Sequence, residues 1–156
     1  MTIRPAIRAD ASRVAALWTA FTAEQAALDP LVAPAPDAAA RWTVTFRDLL
    51  DDAASVLLVA EADGALVGFV VAEPHAEAPV YEPAREVHVG ELYVAPEARG
   101  QGLGRRLLDA VATWAKGQGA VRLRFGVLHG NAASRRMVEG WGARPHAVAY
   151  VRDLTP

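Results

Sequence analysis

With 156 residues, 53% of them hydrophobic, the chain can bury a substantial core, and its lack of cysteine excludes disulfides, thiolate metal sites and a cysteine nucleophile. A formal net charge of −2 gives no general attraction to nucleic acid or to an anionic membrane. No apolar run approaches the roughly 20 residues that span a bilayer, and Met1-Thr2-Ile3-Arg4 enters structure without a signal-peptide core, so one cytoplasmic domain over 1–156 is expected.

In chain order, residues 2–7 read as a short strand, and Asp10 is placed to cap the helix that follows. Val14, Leu17, Trp18, Phe21 and Leu28 recur at helical spacing and form one apolar face. Three prolines make residues 29–37 a loop, after which a second helix over 38–52 turns Trp42, Phe46, Leu49 and Leu50 inward. Residues 55–62 and 65–73 are strands joined at Asp63-Gly64, a pair suited to a two-residue hairpin turn. A proline-rich stretch over 74–83 reads as a long loop beside the site. Residues 86–95 form the central strand. Counting by twos along it puts Glu91 on the side of Val87, Val89 and Tyr93.

That strand ends in Pro96 and runs into a loop with glycine at positions 100, 102 and 104. Glycine permits positive φ and a close backbone approach, leaving peptide N–H groups pointing into the turn. Leu103, Leu107, Val111 and Trp114 mark a helix starting where the loop ends, and its first N–H groups and dipole favour an anion. Arg99, Arg105 and Arg106 add charge at the same point, although a plain glycine-rich connection with exposed arginines fits these residues too. Neither a Walker loop nor a dinucleotide fingerprint fits: no lysine and hydroxyl follow Gly104, and Arg105 stands where the third glycine is needed. Val121, Leu123, Phe125 and Val127 alternate as a further strand, which a helical crossover returns parallel to the central one. Residues 131–141 read as a short helix with Ser134, Met137, Val138 and Trp141 on one face, and 147–154 as a closing strand.

Arg99-Gly100-Gln101-Gly102-Leu103-Gly104, preceded by Leu92-Tyr93-Val94-Ala95-Pro96, resembles the Arg/Gln-x-x-Gly-x-Gly/Ala signature of the GNAT N-acetyltransferase superfamily. Ile3-Arg4-Pro5-Ala6 with Asp10-Ala11, and Asn131-Ala132-Ala133-Ser134 with Met137 and Gly142, resemble the family's opening and closing segments in the right order. The resemblance implies a mixed α/β fold: a twisted, mostly antiparallel sheet with one parallel strand pair, flanked by about four helices. It also implies acetyl-coenzyme A as co-substrate. The pyrophosphate would lie on Arg99 to Gly104, the pantetheine arm along Leu92, Tyr93 and Val94, and Asn131 would contact that arm or cap its helix. Homodimers are common among proteins it resembles, and no residue of the sequence marks an interface.

Amide formation needs a neutral amine, whereas an alkyl ammonium near ~10.4 is protonated at pH 7. In many GNAT enzymes a glutamate on the central strand takes that proton; here it is Glu91, for which a structural ion pair is the competing role. A backbone N–H near Val94 is expected to polarise the thioester carbonyl. The sequence departs from the family seven residues past Asn131, where many members carry a tyrosine that protonates the leaving thiolate and this chain has Val138. Tyr93, Tyr150 and His129 are candidate substitutes. No metal is expected, since His75, His88, His129 and His146 lack ligand spacing. Between positions 73 and 91 five glutamates, Glu73, Glu77, Glu82, Glu86 and Glu91, face one cation, Arg85, which favours a cationic acceptor or is a solvated loop. The resulting expectation is transfer of acetyl to a primary amine of a small molecule or peptide by direct attack. The alternative is an acyl-coenzyme A binding or regulatory module with weak turnover.

Overall fold

The computed structural model describes residues 1–75 and 85–154. Glu77 and Glu82 of the proline-rich stretch lie outside the described residues, as does Tyr81, which with Trp18, Phe21 and Trp42 is an aromatic candidate for apolar or cation–π contacts near the opening. The elements, in chain order, are β1 (Thr2–Pro5), α1 (Ala11–Leu28), α2 (Ala38–Asp51), β2 (Val56–Ala62), β3 (Ala65–His75), β4 (Glu86–Val94), α3 (Leu103–Gly117), β5 (Arg122–Phe125) and α4 (Ala132–Gly140). The strands form one sheet in the order β1-β2-β3-β4-β5. The first four are antiparallel, and β4 and β5 are parallel, joined through α3.

The runs Val56-Leu57-Leu58-Val59-Ala60 and Leu66-Val67-Gly68-Phe69-Val70-Val71-Ala72 are apolar at successive positions because both faces of the sheet are covered. On one face Leu58, Val70 and Val89 pack against Leu107, Leu108 and Val111 of α3. On the other, Val59, Phe69 and Tyr93 pack against Val14 of α1 and Trp42 and Phe46 of α2. Asp63 and Gly64 turn β2 into β3 with φ of 50° and 80°, the paired left-handed conformations whose twist matches the strands. Among the described residues no helix is long and apolar enough to cross a membrane.

Four local expectations are corrected. Residues 147–154 form no strand; they run as irregular chain with Val148 and Tyr150 exposed at 74% and 91%. Asp10 stands at the start of α1 but makes no side-chain cap to it. Its carboxylate, fully buried, receives Arg4 Nη1 at 2.7 Å and the Ile7 N–H at 2.9 Å, and pairs with Arg13. Pro74 and His75 belong to β3 rather than to a loop, in register with Val87 and Glu86. Finally, Glu91 does not share a face with Val87 and Val89. The β3–β4 register passes from Val71 opposite Glu91 to Ala72 opposite Val89, leaving Gly90 as an extra residue in β4. This bulge resets the alternation. Val87 and Val89 point to α3, whereas Tyr93 points to α1 and α2.

Candidate active site

Strand β4 is paired along its whole length with β3 but with β5 only from Glu86 to Val89, opposite Arg122 to Phe125. Beyond Val89 the two strands part. A cleft of about 470 Å³ opens there, floored by Gly90 and Leu92 of β4, with residues 126–128 on its far side. α4 contributes Asn131, Ser134, Met137 and Val138 to one wall, and α1 contributes Phe21, Thr22 and Gln25 to the other. The Ala95 N–H donates to Val67 O of β3 at 2.9 Å. Alternation along the strand therefore turns the N–H groups of Val94 and Leu92 away from β3, toward the gap. An edge of this kind accepts an extended, amide-bearing chain as a further strand would.

At the end of β4 the backbone does what the glycine spacing predicts at two of three positions. Gly100 and Gly102 take φ of 77° and 74°, and a Cβ at either meets nothing within 4 Å, so the conformation rather than crowding selects glycine. Gly104 is different: it lies inside α3, and a Cβ there would sit 2.6 Å from Met137 Sδ, forcing Met137 to swing away from its place in the cleft. The first N–H in α3 to find an intrahelical acceptor is that of Arg106, on Gly102 O at 3.1 Å. The N–H groups of Leu103, Gly104 and Arg105 are left at the positive end of the helix dipole. Arg135 on α4 adds a buried Nη1 with no hydrogen-bond partner, an orphaned donor on the helix that walls the cleft. The unsatisfied amides fit a phosphorylated ligand.

Glu91 lies between two cleft-lining residues, Gly90 and Leu92, with its side chain directed to the α1 and α2 face. Trp18 Nε1 donates to Oε1 at 2.8 Å and Trp42 Nε1 to Oε2 at 3.4 Å. Burial pushes the carboxyl above the usual glutamate range; the two indole N–H groups oppose that shift and the charge of Glu73 reinforces it. A carboxylate that is desolvated yet bonded only to neutral donors is suited to exchanging a proton near neutral pH.

The sequence profile of the Acetyltransferase (GNAT) family matches residues 17–142. The chain belongs to the GNAT acetyltransferase family. Among curated relatives, the thialysine N-epsilon-acetyltransferase of Bos taurus is 35% identical over 60 residues, covering 38% of this chain and 35% of the relative. The matched stretches span between 35% and 59% of the curated relatives' own lengths. A mutant of the BH1408 protein from Bacillus halodurans superposes with a TM-score of 0.86 at 19% identity over 99% of this chain and 100% of that one. The aminoglycoside N-acetyltransferase AAC(6')-Iy in complex with CoA superposes with a TM-score of 0.76 at 20% identity over 99% and 95%. At these identities the superpositions show a shared fold.

Within this GNAT fold, the residues singled out from sequence divide into three groups. Leu92 and Val94 lie along the open edge of β4, Gly100, Gln101 and Gly102 in the turn that follows it, and Leu103 and Gly104 in the first turn of α3. Asn131 caps α4, its Oδ1 accepting the Ser134 N–H at 3.0 Å, and lines the cleft at the same time. Arg99 and Tyr93 are committed elsewhere: Arg99 Nη2 pairs with both oxygens of Glu24 on α1 at 2.8 and 2.9 Å, and its Nε donates to Val94 O at 2.8 Å. The guanidinium covers the Tyr93 ring at 5.4 Å, and Tyr93 Oη donates to the same Glu24 at 3.1 Å. Arg105 donates to Gly140 O. Glu24 was not predicted as part of the site; Trp18 and Trp42 were expected either in the core, by their helical spacing, or as apolar or cation–π contacts near the opening, and only the tertiary fold brings their N–H groups to Glu91. Val138 lines the cleft without a hydroxyl, Tyr150 is exposed, and the thiolate donor expected of many relatives has no counterpart at that position. Among the described residues no group of three or more His, Asp or Glu is arranged to hold a metal ion.

Proposed function

We propose that this GNAT-family chain moves acetyl from acetyl-coenzyme A to a primary amine by direct attack within a ternary complex. The parting of β4 from β5 beside two positive-φ glycines is the observation that carries this reading. The pyrophosphate would be held by the amides from Gly100 to Gly104. The pantetheine arm would lie against the free edge of Leu92 and Val94, with Asn131 and Ser134 across the cleft. The Val94 N–H, turned into the gap, is the donor proposed to polarise the thioester carbonyl, a contact whose removal costs on the order of 10²-fold in rate. Glu91 would take the ammonium proton; the amine nitrogen would then bond to the acetyl carbon as the carbon–sulfur bond breaks. The leaving thiolate, with a pKa near ~8.5, is stable enough to depart without a tyrosine.

The names of the matched proteins include a thialysine and an aminoglycoside acetyltransferase and also a ribosomal-protein-alanine N-acetyltransferase of Brucella melitensis, 27% identical over 99% of this chain, which fits an acceptor amine on a small molecule or a peptide. Glu73 beside Glu91 supplies the negative field that a cationic acceptor would meet. Thiol release from acetyl-coenzyme A across a panel of diamines, lysine analogues and aminoglycosides tests the activity. Amine-dependent release supports it, and saturable coenzyme A binding with no release under any amine overturns it. That second result is what Val138 favours, and it would make the chain an acyl-coenzyme A binding module. The apolar residues exposed on the tail, Val148, Tyr150, Val151 and Leu154, would serve a homodimer, which light scattering would register as twice the monomer mass.

A further inference from the structure

We propose that Trp18 and Trp42 are positioning residues for Glu91: two helices each deliver one indole N–H to a different oxygen of the same carboxylate, fixing its rotamer and favouring the proton-accepting form. The inference rests on Glu91 acting as the base. Trp18 comes from α1 and Trp42 from α2, and β4 carries their common acceptor, so three separate parts of the chain converge on one group. The indoles also hold each other. Their ring centroids are 5.5 Å apart at 30°, and Trp42 is packed further against Phe46 at 5.5 Å and Phe69 at 6.3 Å. With the rings locked, each N–H has a fixed direction.

The arrangement is costly if its purpose is only to fill the core. Phenylalanine at 18 and 42 with an apolar residue at 91 would pack the same face and would desolvate no carboxylate. What the indoles add is selective. A carboxylate has about four lone-pair positions, and one N–H on each oxygen leaves a second position on each for a water or an ammonium proton. The donors are neutral, so they hold the group without fixing its charge as a guanidinium would. Among the described residues, the charge that acts on this carboxylate is that of Glu73 on β3, and Tyr93, two positions along β4, is bonded to Glu24 of α1. α2 contributes the Trp42 indole alone to the carboxylate.

Indole N–H resonances of the 15N-labelled protein, followed from pH 4 to 9, test the proposal without knowledge of the acceptor. The chain has four tryptophans, and Trp141 Nε1 is bonded to Asp109 instead, which provides an internal control. Trp18 and Trp42 are expected to titrate together with one midpoint above that of an exposed glutamate, and Glu91→Gln is expected to flatten both. In Trp18→Phe the Trp42 resonance should report a midpoint raised by about one pH unit, the size of one lost hydrogen bond to a charged group. The acidic limb of kcat/KM should move with it. Trp42→Phe, which removes the longer bond, should move it less. Indole resonances that stay flat in the wild type, or a midpoint unchanged in both phenylalanine variants, would overturn the proposal while leaving Glu91 as the base. Full amine-dependent turnover by Glu91→Gln would remove the base reading and the proposal together. The wild-type and Glu91→Gln titrations decide the first point even if a tryptophan variant fails to fold.

Discussion

Glu86 and Glu91 stand on the same strand and the same face, yet the protein surrounds them in opposite ways. Glu86 is fully buried and meets two cations, Arg122 and Arg124 of β5, one on each oxygen. Glu91 is half-buried and meets two indoles, one on each oxygen. The first arrangement cancels a charge and ties β5 to β4 where the strands pair. The second holds a charge without cancelling it, just past the point where they part. A full countercharge makes a carboxylate structural, whereas neutral donors and desolvation keep it exchangeable.

If that contrast is right, the two substitutions fail in different assays. Glu91→Gln should lower amine-dependent kcat/KM by roughly 10² to 10⁴-fold while coenzyme A binding by calorimetry stays within twofold. Because a carboxyl whose folded pKa is raised costs stability at pH values above that pKa, removing it should leave the melting temperature within a few degrees of wild type. Wild-type turnover should rise with pH through the Glu91 titration, since the ionised form is the base, and the variant should lose that limb. Glu86→Gln should do the reverse. It strips the countercharge from two arginines and should cost about 3 kcal/mol in urea unfolding, with catalysis in the surviving folded fraction nearly normal.

Asp10 sharpens the comparison because it is a second carboxyl of the charge-paired kind. Hydrogen bonds from Arg4 hold its carboxyl down at about 2, against a reference of 3.8. A depressed folded value means stabilisation that is present above the unfolded pKa and lost as pH falls through the folded one. Asp10→Asn should therefore cost about 2 kcal/mol at pH 7, and the difference from wild type should vanish as pH drops from about 4 to about 2. The smallest effect is expected from Arg99→Ala. Its guanidinium is held by Glu24 and Val94 O rather than aimed at the turn, so coenzyme A affinity should weaken only a few-fold by calorimetry.

The turn from Arg99 to Gly104 was legible because its signal is local: the glycines at 100 and 102 report backbone conformations that other residues resist, and the leucines after them report a helix. The orientation of Glu91 was not. Counting by twos assumes an unbroken ladder, and the Gly90 bulge, visible only once β3 is placed beside β4, moves Glu91 from the α3 face to the face of the tryptophans. The pairing of Arg99 with Glu24 was equally hidden, since the two are 75 residues apart in sequence. The tail over 147–154 has the alternation of a strand, yet it joins neither edge of the five-stranded sheet, which alternation by itself does not determine. Gly104 is expected from the sequence to serve the turn through its φ; it lies inside α3 instead, where an added Cβ would meet Met137 Sδ.

The central claim is that the gap between β4 and β5 receives the thioester carrier, with Glu91 on the strand that borders it. A crystal structure with coenzyme A bound tests this most directly. The pyrophosphate is expected on the amides between Gly100 and Gly104 and the pantetheine arm alongside Leu92 and Val94. Density for the pyrophosphate at any other surface, with those amides facing solvent, would contradict it.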